Sequence, residues 1–356
     1  MQSKQQLLTQ LAQLEDKNTG KPYGSSVWSI EELNNQFQIT LTLPYAALGD
    51  HAHIEQAIHA NLASSTSFTL NLVTQIAARP TNGKLSGLKG VKNIIAVASG
   101  KGGVGKSTTT MNLALAMAKE GAKVGILDAD IYGPSQGMMM GFAADTRPKV
   151  RDDKFFIPPI AHGVQVMSMA FLTTADTPVV WRGPMVTGAL MQILTQTDWD
   201  DLDYLFVDMP PGTGDIQLTL AQKVPVTGAV IVTTPQDIAL LDARRGIEMF
   251  RKVNIPVLGL VENMSVHICS NCGHQEAIFG DEGGNNLAQD YQVDFLGKLP
   301  LSMNIRQECD AGQSGLITDS ESQTSLLYRS IARKLSSGLV NSQDSFTMPS
   351  IGMSDD

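Results

Sequence analysis

Long apolar runs are missing from this 356-residue chain; none approaches the roughly 18–20 residues that span a bilayer. The first 20 residues are rich in Gln, Leu and Lys and lack the apolar core of a signal peptide. Both absences lead us to expect a soluble, cytoplasmic protein with no membrane partner. Positive charge is scarce too. Lys and Arg number 26 against 35 Asp and Glu, a net charge of −9, and no basic cluster reverses it locally. Such a field repels nucleic acid, so no nucleic-acid partner is expected. Three cysteines are too few for a disulfide framework and suit a reducing compartment.

Glycine, by contrast, is concentrated where it has work to do. The string GKGGVGKST, Gly100 to Thr108, follows the apolar run Asn93 to Ser99 and opens a helix-like segment. Strand, glycine-rich loop, helix is the order that makes a phosphate-binding P-loop. Gly100, Gly102, Gly103 and Gly105 let backbone N–H groups, that of Val104 among them, converge on phosphate oxygens. The helix starting near Lys106 adds its positive dipole end. In this pattern Lys106 reaches the β/γ-phosphates and Ser107, followed by Thr108, holds Mg²⁺.

Residues 1–80 read as a small α/β domain. FQITLTL (Phe37 to Leu43) and FTLNLVTQI (Phe68 to Ile76) alternate like strands, and His51 to Leu62 reads as a helix. Residues 81–92 read as a linker, in a segment punctuated by Gly83, Gly87 and Gly90. From Asn93, apolar runs alternate with helical stretches: KVGILD (123–128), DYLFVD (203–208), GAVIVTT (228–234) and PVLGLVE (256–262). Near-continuous apolar strands indicate a sheet buried on both faces, hence an α/β, doubly wound and mostly parallel fold across 93–335. Ligands in such sheets bind beyond the strand carboxyl ends. Residues 336–356, rich in Ser, Asp and Gly, read as a disordered tail.

Lys101 distinguishes this loop from an ordinary P-loop, and with it the string resembles the deviant P-loop ATPases, the group holding MinD, ParA and the nitrogenase iron protein. There the early lysine reaches the partner's phosphates across a dimer interface. Carried onto Lys101, this implies a nucleotide-sandwich homodimer with charge neutralised in trans. The strand ending in Asp128-Ala129-Asp130 and the strand ending in Asp208 put carboxylates beside the P-loop. By resemblance Asp130, in switch I, positions the attacking water, and Asp208, opening switch II, touches the Mg²⁺ shell. Gly212 and Gly214 would let switch II rearrange. Asn263 resembles the adenine-contacting residue of this group, and its amide can both donate and accept. A turn asparagine is the alternative.

HICSNCGH, His267 to His274, packs two thiols and two imidazoles into one short segment. A [4Fe–4S] cluster needs four thiolates, and a two-fold dimer would bring the two Cys269–Cys272 pairs together. Zinc is equally open on the residues alone, with Cys269, Cys272 and the histidines, or with four thiolates in a dimer. Cys309 reads as a buried small hydrophobe. Met138 to Met140 with Phe142 reads as core filling, or else as a soft docking surface.

The strings SGKGGVGKST, DADIYGPS, WRGPM, DMPPGTGD, TTPQDIALLDARRG, ENMS and CSNCGH, in this order over about residues 91–335, together resemble the Mrp/ApbC family of iron–sulfur cluster carriers. The resemblance implies a homodimer that binds ATP with Mg²⁺ and hydrolyses it slowly. It also implies a [4Fe–4S] cluster held on paired CxxC motifs, taken from an assembly scaffold and delivered to apo client proteins. Two alternatives stand beside it: a MinD- or ParA-like positioning ATPase with a structural zinc, and an ATP-dependent electron donor. The tail MPSIGMSDD offers no basic amphipathic helix for MinD-like membrane use.

Overall fold

Apolar, β-branched runs that are buried at every position, such as Gly228–Thr233 and Leu202–Asp208, can form strands only where helices cover both faces of a sheet. A computed structural model of the protein describes residues 3–34, 36–62, 66–81, 86–172, 183–269 and 271–341. Trp181 and Arg182 of the WRGPM string, Ser270, and the tail from 342 lie outside the described residues.

In chain order the elements are α1 (Lys4–Ala12), β1 (Trp28–Leu33), β2 (Gln36–Leu43), α2 (His51–Asn61) and β3 (Phe68–Thr74). Then come β4 (Val91–Ala98), α3 (Lys106–Lys119), β5 (Val124–Asp128), α4 (Gln136–Met139), β6 (Ile160–Ala161), β7 (Val164–Ser168) and α5 (Gly183–Gln196). β8 (Leu202–Asp208), α6 (Asp215–Lys223), β9 (Gly228–Thr233), α7 (Asp237–Lys252) and β10 (Val257–Glu262) follow. The last group is β11 (His267–Ile268), β12 (Gln275–Glu276), α8 (Gly283–Asp290), β13 (Phe295–Lys298), α9 (Met303–Asp310), α10 (Gly315–Thr318) and α11 (Gln323–Asn341).

The main sheet has eight strands in the order β6-β7-β5-β8-β4-β9-β10-β13. Only the short β6 at the edge pairs antiparallel; the rest are parallel. β4 is therefore central, flanked by β8 and β9, and the loop after it opens at the carboxyl edge of the sheet, where ligands bind. The N-terminal residues form a three-stranded sheet β1-β2-β3 with its own core of Leu7, Leu11, Trp28, Ile39, Leu41 and Ile58, among others.

Glu120, the fully buried residue capping the end of α3, ties this sheet's neighbourhood to the larger domain. Its carboxylate accepts from Arg329 Nε (2.7 Å), Arg333 Nη1 (2.8 Å) and the Gly49 N–H (2.7 Å). A buried carboxylate with three charged or backbone donors is satisfied; lacking them it would be strongly destabilising.

Two boundaries differ from the sequence reading. β4 begins at Val91, inside the expected linker, because Val91 pairs with Leu202 of β8. α11 runs to Asn341, past the expected end of the domain at 335. The serines that suggested a disordered tail are buried there. Ser336 Oγ accepts from the Ala46 N–H at 2.8 Å and lies 2.8 Å from the Tyr204 hydroxyl, and Ser337 Oγ donates to the Asn18 carbonyl. β1 and α1 were not anticipated: Trp28–Leu33 is short and half exposed, and it gains its structure from pairing with β2.

Candidate functional site

The P-loop takes the conformation its glycines permit. Gly103 and Gly105 have φ of +84° and +80°, a region that side-chain-bearing residues rarely adopt. At Gly105 a Cβ would also lie 2.2 Å from Asn263 Nδ2. At Gly100 a Cβ would lie 2.2 Å from the Asp242 carbonyl, so α7 packs directly on the start of the loop. A cavity of 210 Å³ is lined by Gly102, Gly103, Gly105, Lys106, Ser107 and Asp130, together with Ser99, Thr108 and Pro211.

Lys106, which begins α3, is buried and ion-paired with Asp208 Oδ1, and its ammonium also donates to Ser107 Oγ at 3.2 Å. Thr110 Oγ1 donates to the same Asp208 oxygen at 3.1 Å, and Gln136 Nε2 donates to Oδ2 at 2.8 Å. Asp128, ending β5, accepts from the backbone N–H groups of Ser135 (2.9 Å) and Gln136 (3.0 Å) and from Ser168 Oγ (3.2 Å). Burial, and then the charge of Asp208, push its carboxyl up to about 7. Asp130 is half-buried at the cavity wall, its carboxyl also raised by burial and drawn back by Lys106. Ser107 and Asp130 line the cavity and Asp208 is ion-paired with Lys106, so the oxygens in this region are hydroxyl and carboxylate, the hard kind that suits Mg²⁺.

Lys101 is half-buried, and its ammonium makes no ion pair among the described residues; its carbonyl accepts from Ser99 Oγ at 2.9 Å. Asn263 Nδ2 donates to the Val104 carbonyl at 2.9 Å, so the residue expected at the base instead braces the loop in this structure. Its neighbour Glu262 is fully buried, with Oε2 accepting from the Gly284 N–H at 2.6 Å; burial raises its carboxyl.

The CxxC lies six residues beyond Asn263, in a hairpin between β11 and β12. The Cys269 N–H donates to the His274 carbonyl, and the Gly273 N–H donates back to the Cys269 carbonyl, both at 2.9 Å. Cys269 is half-buried and Cys272 exposed. Backbone N–H groups of Cys272 and Asn271 point at the Cys269 sulfur and hold its thiol below the usual value. No group of three or more His, Cys, Asp or Glu side chains converges for a metal among the described residues, so His267 and His274 do not complete a set with the thiols. Cys309 is 6 % exposed and its thiol is raised by burial, the small-hydrophobe placement read from the sequence. Met139 and Met140 are buried while Met138 is 60 % exposed, and Phe142 packs edge-on against Phe171.

Sequence reasoning missed Gln136, Thr110 and the supporting part of Asp128. Asp128 carried a signal, as the first carboxylate of a strand-ending Asp-Ala-Asp; Gln136 carried none beyond its proximity to switch I.

Comparison with known proteins bears on the same residues. The family described as NUBPL iron-transfer P-loop NTPases, within the ParA group, matches residues 90–336. An iron-sulfur cluster carrier protein of Pseudomonas fragi is 64% identical over 279 residues, covering 78% of this chain and 97% of the relative. The iron-sulfur cluster transfer protein NUBPL of Mus musculus is 50% identical over 264 residues, 74% of this chain and 82% of its own. A nucleotide-binding protein of Archaeoglobus fulgidus, solved in complex with ADP, aligns with a TM-score of 0.56 at 38% identity, covering 63% of this chain and 88% of that one.

Proposed function

This chain belongs to the NUBPL iron-transfer family of ParA-type P-loop NTPases, and from that premise we propose that it is an ATP-hydrolysing carrier of [4Fe–4S] clusters, working as a homodimer. The observation that carries the reading is the mismatch between its two sites. The phosphate-binding loop has its lysine, hydroxyl and carboxylates within one chain, whereas the hairpin offers two thiols and no third ligand among the described residues. A cube needs four thiolates, and two copies supply them. A cluster bridging two exposed hairpins is cargo that can be taken from a scaffold and handed to an apo client.

The nucleotide end would work as follows. Lys106 exchanges Asp208 for phosphate oxygens, while Thr110 and Gln136 keep the Asp208 carboxylate in place. Asp130 orients the attacking water at the cavity wall, and Lys101 of each copy reaches the other copy's phosphates. Mg²⁺ held at Ser107 would supply charge neutralisation for the phosphates. The same helix that packs on Gly100 carries exposed Ile238 and Leu241; exposed apolar side chains on this helix favour a second copy packing against it.

Coupling between the two ends follows the chain itself. Asn263 holds the Val104 carbonyl, and from there the backbone runs to Cys269 alongside residues 299–301. The Leu299 N–H donates to the Glu262 carbonyl, the Ser265 N–H to the Leu299 carbonyl and the Leu301 N–H to the Val266 carbonyl. Hydrolysis that shifts Val104 would therefore shift the hairpin root and alter how tightly the cargo is held.

Oxygen-free purification with iron, sulfide and zinc analysis tests the reading. About four irons and four sulfides per dimer are expected, with most of both lost in Cys269→Ser or Cys272→Ser. Serine variants that keep their iron would overturn it, and stoichiometric zinc without sulfide would replace it with a structural metal.

A further inference from the structure

The loop between β5 and α4, residues 129–135, carries Asp130 to the cavity wall, and both of its ends are fastened to a single side chain. Asp128, the last residue of β5, is fully buried and does not itself line the cavity. Its Oδ1 accepts from the Asp130 N–H at 3.2 Å, at the start of the loop. Its Oδ2 accepts from the Ser135 N–H at 2.9 Å and the Gln136 N–H at 3.0 Å, where the loop runs into α4. Ser168 Oγ gives Oδ2 another donor at 3.2 Å, from the position on β7 that stands opposite Asp128 in the sheet.

Donors converging on both oxygens suit a carboxylate and not an amide, because asparagine would turn an NH₂ group on one set of them. The loop closed in this way holds its own carboxylate in turn: the N–H groups of Gly133 and Tyr132 face the Asp130 side chain. The direction in which Asp130 points is therefore set by the loop backbone, and the loop backbone is set by Asp128. The far end of the loop matters as well. Gln136 donates from its side-chain amide to Asp208 Oδ2 at 2.8 Å and to the Ser107 carbonyl at 3.0 Å. We infer that Asp128 is a positioning residue for the hydrolysis proposed above: it clamps both ends of the 129–135 loop, so that Asp130 stands where it can orient the attacking water. Asp128 touches no nucleotide in this role. The role rests on the nucleotide reading, and its loss should fall on turnover, where a misplacement of about 1 Å costs about 100-fold.

ATP turnover, ADP calorimetry and amide hydrogen exchange on the full-length protein test it, at about pH 8, above the value of about 7 at which the Asp128 carboxyl titrates. In Asp128→Asn, ADP affinity and the KM for ATP should stay within about twofold of the unaltered protein, the sign of an interaction that serves the transition state. Turnover per ADP-binding site should fall at least about 10-fold. Counting sites by calorimetry corrects for unfolded protein, and a purely structural residue would lower that count without changing turnover per site. In the unaltered, nucleotide-free protein the Ser135 and Gln136 amides should exchange slowly; the variant should lose that protection while α3 keeps its own. Ser168→Ala removes one donor and leaves the loop bonds, and should keep at least about half of the turnover. An Asn variant with full turnover per site overturns the proposal, as does a Ser168→Ala variant that loses as much as Asn. Loop amides that exchange freely in the unaltered protein overturn it too, whether or not the Asn variant folds. If the unaltered protein turns over no ATP while its loop amides are protected, the nucleotide reading fails, and this role fails with it.

Discussion

The P-loop and the CxxC hairpin both sit at the carboxyl edge of one sheet, but they are built in opposite ways. Around the P-loop, Asp128, Asp208, Lys106 and Gln136 are buried on strand and helix ends, each bonded to at least two others or to neighbouring backbone. The hairpin is two pairs of residues closed by two backbone bonds, with one cysteine half-buried and the other exposed. Phosphate chemistry needs preorganised charge that does not have to relax during the reaction. Delivery of a cargo needs the reverse: ligands at the surface, an incomplete set in each chain, and a segment cheap to move. On the function proposed above, the difference in packing would follow the difference in task.

Three substitutions would break or sharpen that contrast. Lys106→Ala has the largest expected effect. It should lower nucleotide turnover about 100-fold or more, as loss of a transition-state donor does, while iron and sulfide content after oxygen-free purification stays at the level of the unaltered protein. Loss of iron in parallel with turnover would mean that the two ends are not separately built.

A smaller effect is expected from acid. The Asp128 carboxyl titrates at about 7 in the folded protein, against about 3.9 when unfolded. The folded state thus binds the extra proton between these values, so its stability is greater at the acid end and falls as pH rises through the window. Melting of the nucleotide-free protein should show this slope between about pH 4 and pH 7, and Asp128→Asn should flatten it. An unchanged slope in that variant would assign the effect elsewhere.

The smallest effect belongs to the hairpin. In metal-free protein Cys272→Ser should change stability by no more than about 0.5 kcal/mol, as at other exposed positions. Denaturant unfolding that showed a loss well beyond this would give the hairpin a structural role and erase the contrast.

How much of this was legible beforehand depends on distance along the chain. Gly103 and Gly105 could be read because a positive φ is a local demand, met by the residue itself. The strands ending in Asp128 and Asp208 could be read because a doubly covered strand has to be apolar throughout. The CxxC could be read as two thiols held close together, because its spacing lies within one short stretch. Ser336 was misjudged for the opposite reason: serine suggests solvent, and the Ala46 backbone, 290 positions away, and the Tyr204 hydroxyl, 132 away, made its burial favourable.

Taken alone, the order of residues decided the P-loop, the run of buried parallel strands and the spacing of two thiols, since each depends on backbone preferences and side-chain periodicity within one short stretch. Folding in three dimensions decided the rest: that Gln136 reaches Asp208 across 72 positions, that Glu120 meets Arg329 across 209, and that Asn263 braces Val104 across 159. Such pairs arise only from which strand lies beside which, and a hydrogen bond between distant residues leaves no mark on the sequence near either one.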